Sequence, residues 1–156
     1  MRKSFLFIIA TICSHLSLTK ASNVVVDDDD IKFGDVTFSA SSLWQNNFGS
    51  CGFSIPPNQY ATAALSMKYM KIPQGVTNPN FHPFCTTPTC LIITDPDRKR
   101  SVVMRVGDSI QGTGDNLNIA DTAFSQLTAL TLGRVFMRWK FVDCSTHPLG
   151  PTSEVV

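Results

Sequence analysis

MRVGDSIQGTGDNLNIADTAF, residues 104–124, is the stretch on which the reading of this chain turns. An apolar run ends at Gly107-Asp108. A glycine-punctuated turn, Gly112-Thr-Gly114, follows, then a short apolar segment and a helix start. Asp108 has two readings. It is half of a catalytic acid pair, or a turn residue whose carboxylate accepts backbone N–H bonds from the Gly112–Gly114 turn.

The flanks make a β-rich frame. "CLIIT" and "SVVMRVG" are strands, joined through a hairpin at Asp95-Pro-Asp-Arg-Lys-Arg100. Downstream, Ala123, Phe124, Leu127, Leu130 and Leu132 recur at helical spacing, so a short amphipathic helix is expected over 122–132, capped by Asp121 and stopped by Gly133. Asp115 reads as a turn residue. "RVFMRWKFV" alternates Val135, Met137, Trp139 and Phe141 against charged or exposed neighbours, a strand with one buried face and Trp139 in the core. "FGDVTFSA" is a further strand, and Tyr60 to Leu65 a short one with Ser66 capping a brief turn. "IPQGVTNPNFHPFCTTPTC" is a long loop with four prolines. Short strands, glycine and proline turns and few helices predict a mainly β fold, closed into a small barrel so that no sheet edge is left open.

With 156 residues the chain forms one domain. Residues 1–21 have the layout of a secretory signal peptide: Arg2-Lys3, an apolar run from Phe5 to Cys13, and a small-residue exit at Thr19-Lys-Ala21. Residues 22–32 form an acidic leader ending in Asp27 to Asp30; four adjacent aspartates lack the spaced ligands of a calcium loop. The barrel is expected over 33–144, with a tail at 145–156. No second apolar run follows the signal, so no membrane contact is expected after cleavage.

Signal removal takes the basic residues from 13 to 10 against 12 acidic ones, a net charge of −2. The only basic cluster, Arg98-Lys99-Arg100, is flanked by Asp95 and Asp97 and reads as a hairpin tip, so a nucleic-acid partner is not expected. Four cysteines remain after Cys13 leaves: Cys51, Cys85, Cys90 and Cys144. An even number in a secreted chain implies two disulfides, with three possible pairings. Cys85 and Cys90 lack a second close cysteine or histidine pair, so no zinc site is read. Neither a metal nor a cofactor is expected, and the chain has no Asn-x-Ser/Thr sequon.

Four segments, in order, resemble the double-psi β-barrel of rare lipoprotein A, barwin, plant natriuretic peptides and the first domain of expansins. They are "GDVTFSA" (34–40), "GSCGFSIPPNQYATAALS" (49–66), "SVVMRVGDSI" (101–110) and "NLNIADTAFSQLTALTLGRVFMRWKFVDC" (116–144). The resemblance spans roughly residues 33–144. It implies a six-stranded double-psi β-barrel with one or two short helices, stapled by Cys51–Cys85 and Cys90–Cys144. It also places a groove at Thr37, Phe38, Trp44, Asp108 and Asn118. Phe48 belongs to the same loop as Trp44, and an aromatic there can stack on a sugar ring.

Glycosidic cleavage uses two carboxylates, roughly 6.5–9.5 Å apart for inversion. In the expansin pattern the acid stands where this chain has Asn118, and an amide cannot donate a proton to a leaving oxygen as a carboxylic acid does. Ser39 also replaces a tyrosine of the opening motif. Asp108 matches the aspartate implicated in cleavage by the lytic transglycosylase branch, whose upstream Glu and His have no clear counterparts; His82, in the long loop, is the one histidine that could approach. Three functions follow. The first is a secreted, monomeric, expansin-like protein that binds a cell-wall polysaccharide or other extracellular glycan without hydrolysis. The second is a protein-binding module, such as a protease inhibitor, a natriuretic-type signal or a host-directed effector. The third is a transglycosylase- or endoglucanase-like enzyme using Asp108.

Overall fold

Alternation of apolar and polar residues organises the first strand, β1 (Lys32–Ser39): Gly34, Val36 and Phe38 turn inward, Phe33, Asp35 and Thr37 outward. The computed structural model describes residues 30–44, 48–53, 60, 62–72, 74–75 and 78–156, without the side chains of Trp44 and Pro79. The expected signal peptide, Cys13 and all but the end of the acidic leader lie outside the described residues. Lys32, at the leader's expected end, already belongs to β1, where its ammonium pairs with Asp30 and faces the rings of Tyr69, Trp139 and Phe141.

Six further strands follow among the described residues: β2 (Ala63–Ser66), β3 (Thr89–Thr94), β4 (Ser101–Ile110), β5 (Leu117–Ala120), β6 (Arg134–Asp143) and β7 (Gly150–Thr152). Six of them close on themselves in the order β2-β5-β1-β6-β3-β4, with β4 returning to β2. The β1–β5 and β2–β4 pairs are parallel and the other barrel pairs antiparallel. The expected closed barrel is what forms, and both disulfides join the pairs that the resemblance implied, Cys51–Cys85 and Cys90–Cys144. Leu65, Leu91, Ile93, Met104, Phe124 and Trp139 fill the interior.

β3 is buried along its whole length, which its unbroken apolar run permits. One face meets the interior. On the other, Cys90 and Ile92 pack with Val103, Val142 and Val156. The tail is thus part of the fold: β7 adds to the first half of β4, Glu154 pairs with Lys140 at 3.3 Å, and the Val156 N–H donates to Thr94 Oγ1 at 3.0 Å.

Three short α-helices, where one or two were expected, are present among the described residues: α1 (Ser41–Trp44), α2 (Pro83–Thr86) and α3 (Asp121–Leu127). The helix expected to reach residue 132 ends five residues earlier. Thr128 is extended (φ −160°, ψ 175°), and Leu130–Leu132 forms a separate 3-10 turn closed by Gly133 at φ 68°. Leu127 is fully buried whereas Leu130 and Leu132 are exposed, so the apolar spacing persists after the packing that would hold a helix has ended. Asp121 is also not the helix cap, a position taken by Ala120. Its Oδ1 accepts the N–H of Thr122 at 2.7 Å and of Ser41 at 3.1 Å, tying α1 to α3.

Asp115, expected only as a turn residue, joins several elements. Its carbonyl accepts the Trp139 indole N–H at 2.8 Å, and its carboxylate accepts Lys68 Nζ and Tyr69 Oη at 2.6 Å each. Its carbonyl oxygen would lie 2.1 Å from a Cβ added to Gly34, so β1 tolerates no side chain there. The hairpin is organised in the same way. Asp95, almost wholly buried, accepts the N–H groups of Lys99 and Arg100 and the Arg100 guanidinium.

Burial pushes the Asp95 carboxyl up, but these bonds and the Arg100 charge outweigh it and hold it below the ordinary value. Unfolded Asp95 therefore binds protons more readily than folded Asp95. Its stabilisation is full above the unfolded value of about 3.9 and is lost as pH falls through the lower folded value. We expect Asp95→Asn to lower stability at pH 7 by about 1–3 kcal/mol and to flatten the acid limb of a plot of urea midpoint against pH.

Candidate functional site

A β-bulge decides where Asp108 points. Val102, Met104 and Val106 of β4 face the interior, so an unbroken strand would turn Asp108 inward as well. The pairing with β2 slips by one residue: Ala63 lies opposite Val106, and Ala64 opposite Asp108. Gly107 is the residue left over, and Asp108 and Ile110 come to share the outer face with Ala64.

That register sets up a row across four strands. Asp108 neighbours Ala64, Ala64 neighbours Asn118, and Asn118 neighbours Thr37. The methyl of Ala64 makes a low floor between the longer Asp108 and Asn118 side chains. With adjacent strands about 4.8 Å apart, the two flanking backbones stand about 10 Å from each other.

Each flank is held rigid by its own bonds. Asp108 Oδ1 accepts from Ser50 N at 2.9 Å, Ser50 Oγ at 2.7 Å and Ser109 N at 2.8 Å. These donors replace the Gly112–Gly114 turn of the sequence expectation. Because the Ser50 hydroxyl proton goes to Asp108, Ser109 Oγ donates to Ser50 Oγ at 2.7 Å. None of these bonds uses Oδ2. The segment carrying Ser50 lies directly on β4: the Cys51 N–H donates to Gly107 O at 3.2 Å, and a Cβ on Gly49 would meet the same oxygen at 2.3 Å. The Cys51–Cys85 bridge anchors this segment.

On the other flank, hydroxyls fix the amide. Ser39 Oγ donates to Asn118 Oδ1 at 2.9 Å, Asn118 Nδ2 to Thr37 Oγ1 at 3.0 Å, and Thr37 Oγ1 to the Leu117 carbonyl at 3.2 Å. Asn118 both gives and receives in this chain, a dual role that an ionised carboxylate cannot take. Ser39, which departs from the resembled motif, is the residue that completes it.

The structure thus brings Thr37, Asp108 and Asn118 into one row. Phe38 does not join them; it packs inward on Phe124 with ring centroids 4.9 Å apart. Trp44 ends α1, and its side chain lies outside the described residues. Phe48, just before the segment that covers β4, is 71% exposed. His82 is buried and caps α2, its Nδ1 accepting the Phe84 N–H at 3.2 Å. Burial lowers its pKa against the raising effect of backbone bonds with Lys71 and Tyr69. Among the described residues no bond joins His82 to Asp108, Asn118 or Thr37. No group of three or more His, Cys, Asp or Glu among the described residues could hold a metal ion.

Ala64 and Ser50 were not singled out in the sequence, and Ser39 only as a departure from the resembled motif. The signal for Ala64 and the bulge was Gly107, since a glycine inside a strand marks a bulge or a close backbone approach.

The fold is a double-psi β-barrel. The Streptomyces papain inhibitor superposes with a TM-score of 0.60 at 21% identity, over 75% of this chain and 98% of that one. A mutant expansin from Clavibacter michiganensis, solved in complex with cellohexaose, gives 0.53 at 23% identity over 79% of this chain. Cerato-platanin 2 from M. perniciosa gives 0.50 at 18% identity, over 75% of this chain and 99% of that one. The chain spans about half the length of the expansin, 54%. No protein-family model matches it, and no curated protein matches it in sequence. No helix among the described residues is long and apolar enough to cross a membrane.

Asp108→Ala removes the acceptor of three donors. The expected outcome is a loss of about 1–3 kcal/mol in stability, with faster hydrogen exchange at the Ser50 and Ser109 amides than in the rest of β4.

Proposed function

We propose that this is a secreted glycan-binding barrel that holds a polysaccharide over the Asp108–Ala64–Asn118–Thr37 row without hydrolysing it. The observation carrying this reading is the amide at Asn118, bonded to Ser39 and Thr37 across the floor from Asp108. A sugar hydroxyl can exchange bonds with Oδ2 on one side and with the amide and hydroxyls on the other. Hydrolysis by a carboxylate pair needs a group on each side of the bond, an acid for the leaving oxygen and a base or nucleophile opposite it, and the side facing Asp108 presents an amide. The expansin neighbour bound to cellohexaose supports the substrate class, and the two disulfides support an oxidising, extracellular setting.

The test is retention of the protein on insoluble glucan, chitin and peptidoglycan, with reducing ends counted in parallel. Retention without reducing-end release is expected, with retention weakened by Asn118→Ala. Reducing ends that appear with the wild type and vanish in Asp108→Asn would put the protein among the enzymes instead.

One observation favours a second reading, a protein-binding inhibitor. The papain inhibitor is matched over 98% of its length, whereas the expansin is matched over half. The exposed Phe48 and the bridge-anchored segment behind it are what such a surface would use. Papain assayed with a stoichiometric excess of the protein decides it: inhibition that Phe48→Ser reduces supports this reading, and full papain activity dismisses it.

A further inference from the structure

The outer face of β1 continues beyond Thr37. By alternation Asp35 and Phe33 point the same way, and Phe33 lies about 13 Å along the strand from Thr37. On the neighbouring β6 the outward residues are Arg134, Phe136, Arg138 and Lys140. Phe33 and Phe136 are 49% and 61% exposed, and their rings stack with centroids 6.4 Å apart and planes 18° from parallel. The Arg138 guanidinium sits 5.4 Å over the Phe33 ring. Arg134, its side chain 68% exposed, has Asp35 within ion-pair range, at 3.6 Å.

A stacked aromatic pair left in water, flanked by guanidinium groups, is a surface in want of a partner. Its chemistry specifies one. The flat apolar pair matches the C–H face of a pyranose ring, and a guanidinium pairs with a carboxylate through a planar fork. The exposed Arg134–Asp35 pair is worth little in water, so Arg134 can be recruited by a ligand carboxylate. Lys140 is engaged with Glu154, and two arginines alone are too few for the run of contacts a phosphate backbone needs.

We propose that Phe33, Phe136, Arg134 and Arg138 form a subsite for uronate residues of an acidic polysaccharide, continuous with the Asp108–Thr37 row. This deepens the glycan-binding reading and rests on it in one respect only, that a single chain runs over both.

The experiment uses the intact protein with polygalacturonate and a neutral cello-oligosaccharide as probes, measured by titration calorimetry at low and moderate salt. Because all four side chains lie on the outer face, Phe33→Ser/Phe136→Ser and Arg138→Gln should keep the wild-type urea midpoint, which is checked first. Expected is preferential binding of polygalacturonate, weakened by salt, and a loss of about tenfold or more in each variant. Arg138→Gln should leave the neutral oligosaccharide nearly unaffected. Equal affinity for both probes, no binding of polygalacturonate, or variants that bind it as the wild type does would each overturn the proposal. Binding lost in Asn118→Ala but kept in the platform variants also overturns it while leaving the row's role intact. Binding lost in the platform variants but kept in Asn118→Ala upholds the platform and removes the row. A dimer in solution that Phe136→Asp converts to monomer, without polygalacturonate binding, would make the face a self-association surface and end the proposal.

Discussion

Closure of the barrel through β2 is the constraint on which the rest of this structure depends. Four residues, Ala63 to Ser66, occupy the gap between β4 and β5, and every one of them is buried. Without that insertion two strands would be left with open ladders, each a row of unpaired backbone groups. The gap also sets the side-chain sizes. Leu65 enters the interior, whereas Ala64 turns outward into a space bounded by Ile110 and the flanking strands. The small residue that lets the sheet close is therefore the one that makes the low floor of the candidate site. Fold and site are consequences of the same packing requirement.

The site, in turn, depends on a local departure from regularity. Gly107 takes the residue of slack in β4, and its carbonyl receives the Cys51 N–H. The bulge thus does two things at once: it aims Asp108 outward and offers a docking point for the segment that brings Ser50 to it. The opposite flank needs no such device, because β5 keeps strict alternation, with Leu117 and Ile119 inside and Asn118 outside.

Much of this could be read from the residues alone, and the exceptions share a cause. The alternation in β6, the hairpin at Asp95 and the even cysteine number were legible because each is a local pattern with one mechanical meaning. The resemblance supplied the disulfide pairing and the gathering of Thr37, Asp108 and Asn118. What escaped was set by distant partners. The bulge is visible only once β2 is known to lie beside β4. The inward turn of Phe38 against Phe124, the several bonds of Asp115 and the packing of Val156 behind β3 all join segments far apart in sequence. The helix that stopped at Leu127 shows the reverse error, a periodic pattern that outlasted the packing giving it purpose.

The strand order has a consequence for how the chain acquires its shape. β1 pairs with β5 and β6, so its ladder partners lie 81 to 107 residues downstream. As the polypeptide emerges from its N-terminus, β1 has nothing to zip against until nearly all of the domain has followed. Such non-local topology slows folding and leaves the apolar face of β1 uncovered in the meantime. The run of aspartates just ahead of β1 flanks that strand with charge, the placement of a gatekeeper against association while its partners are still missing.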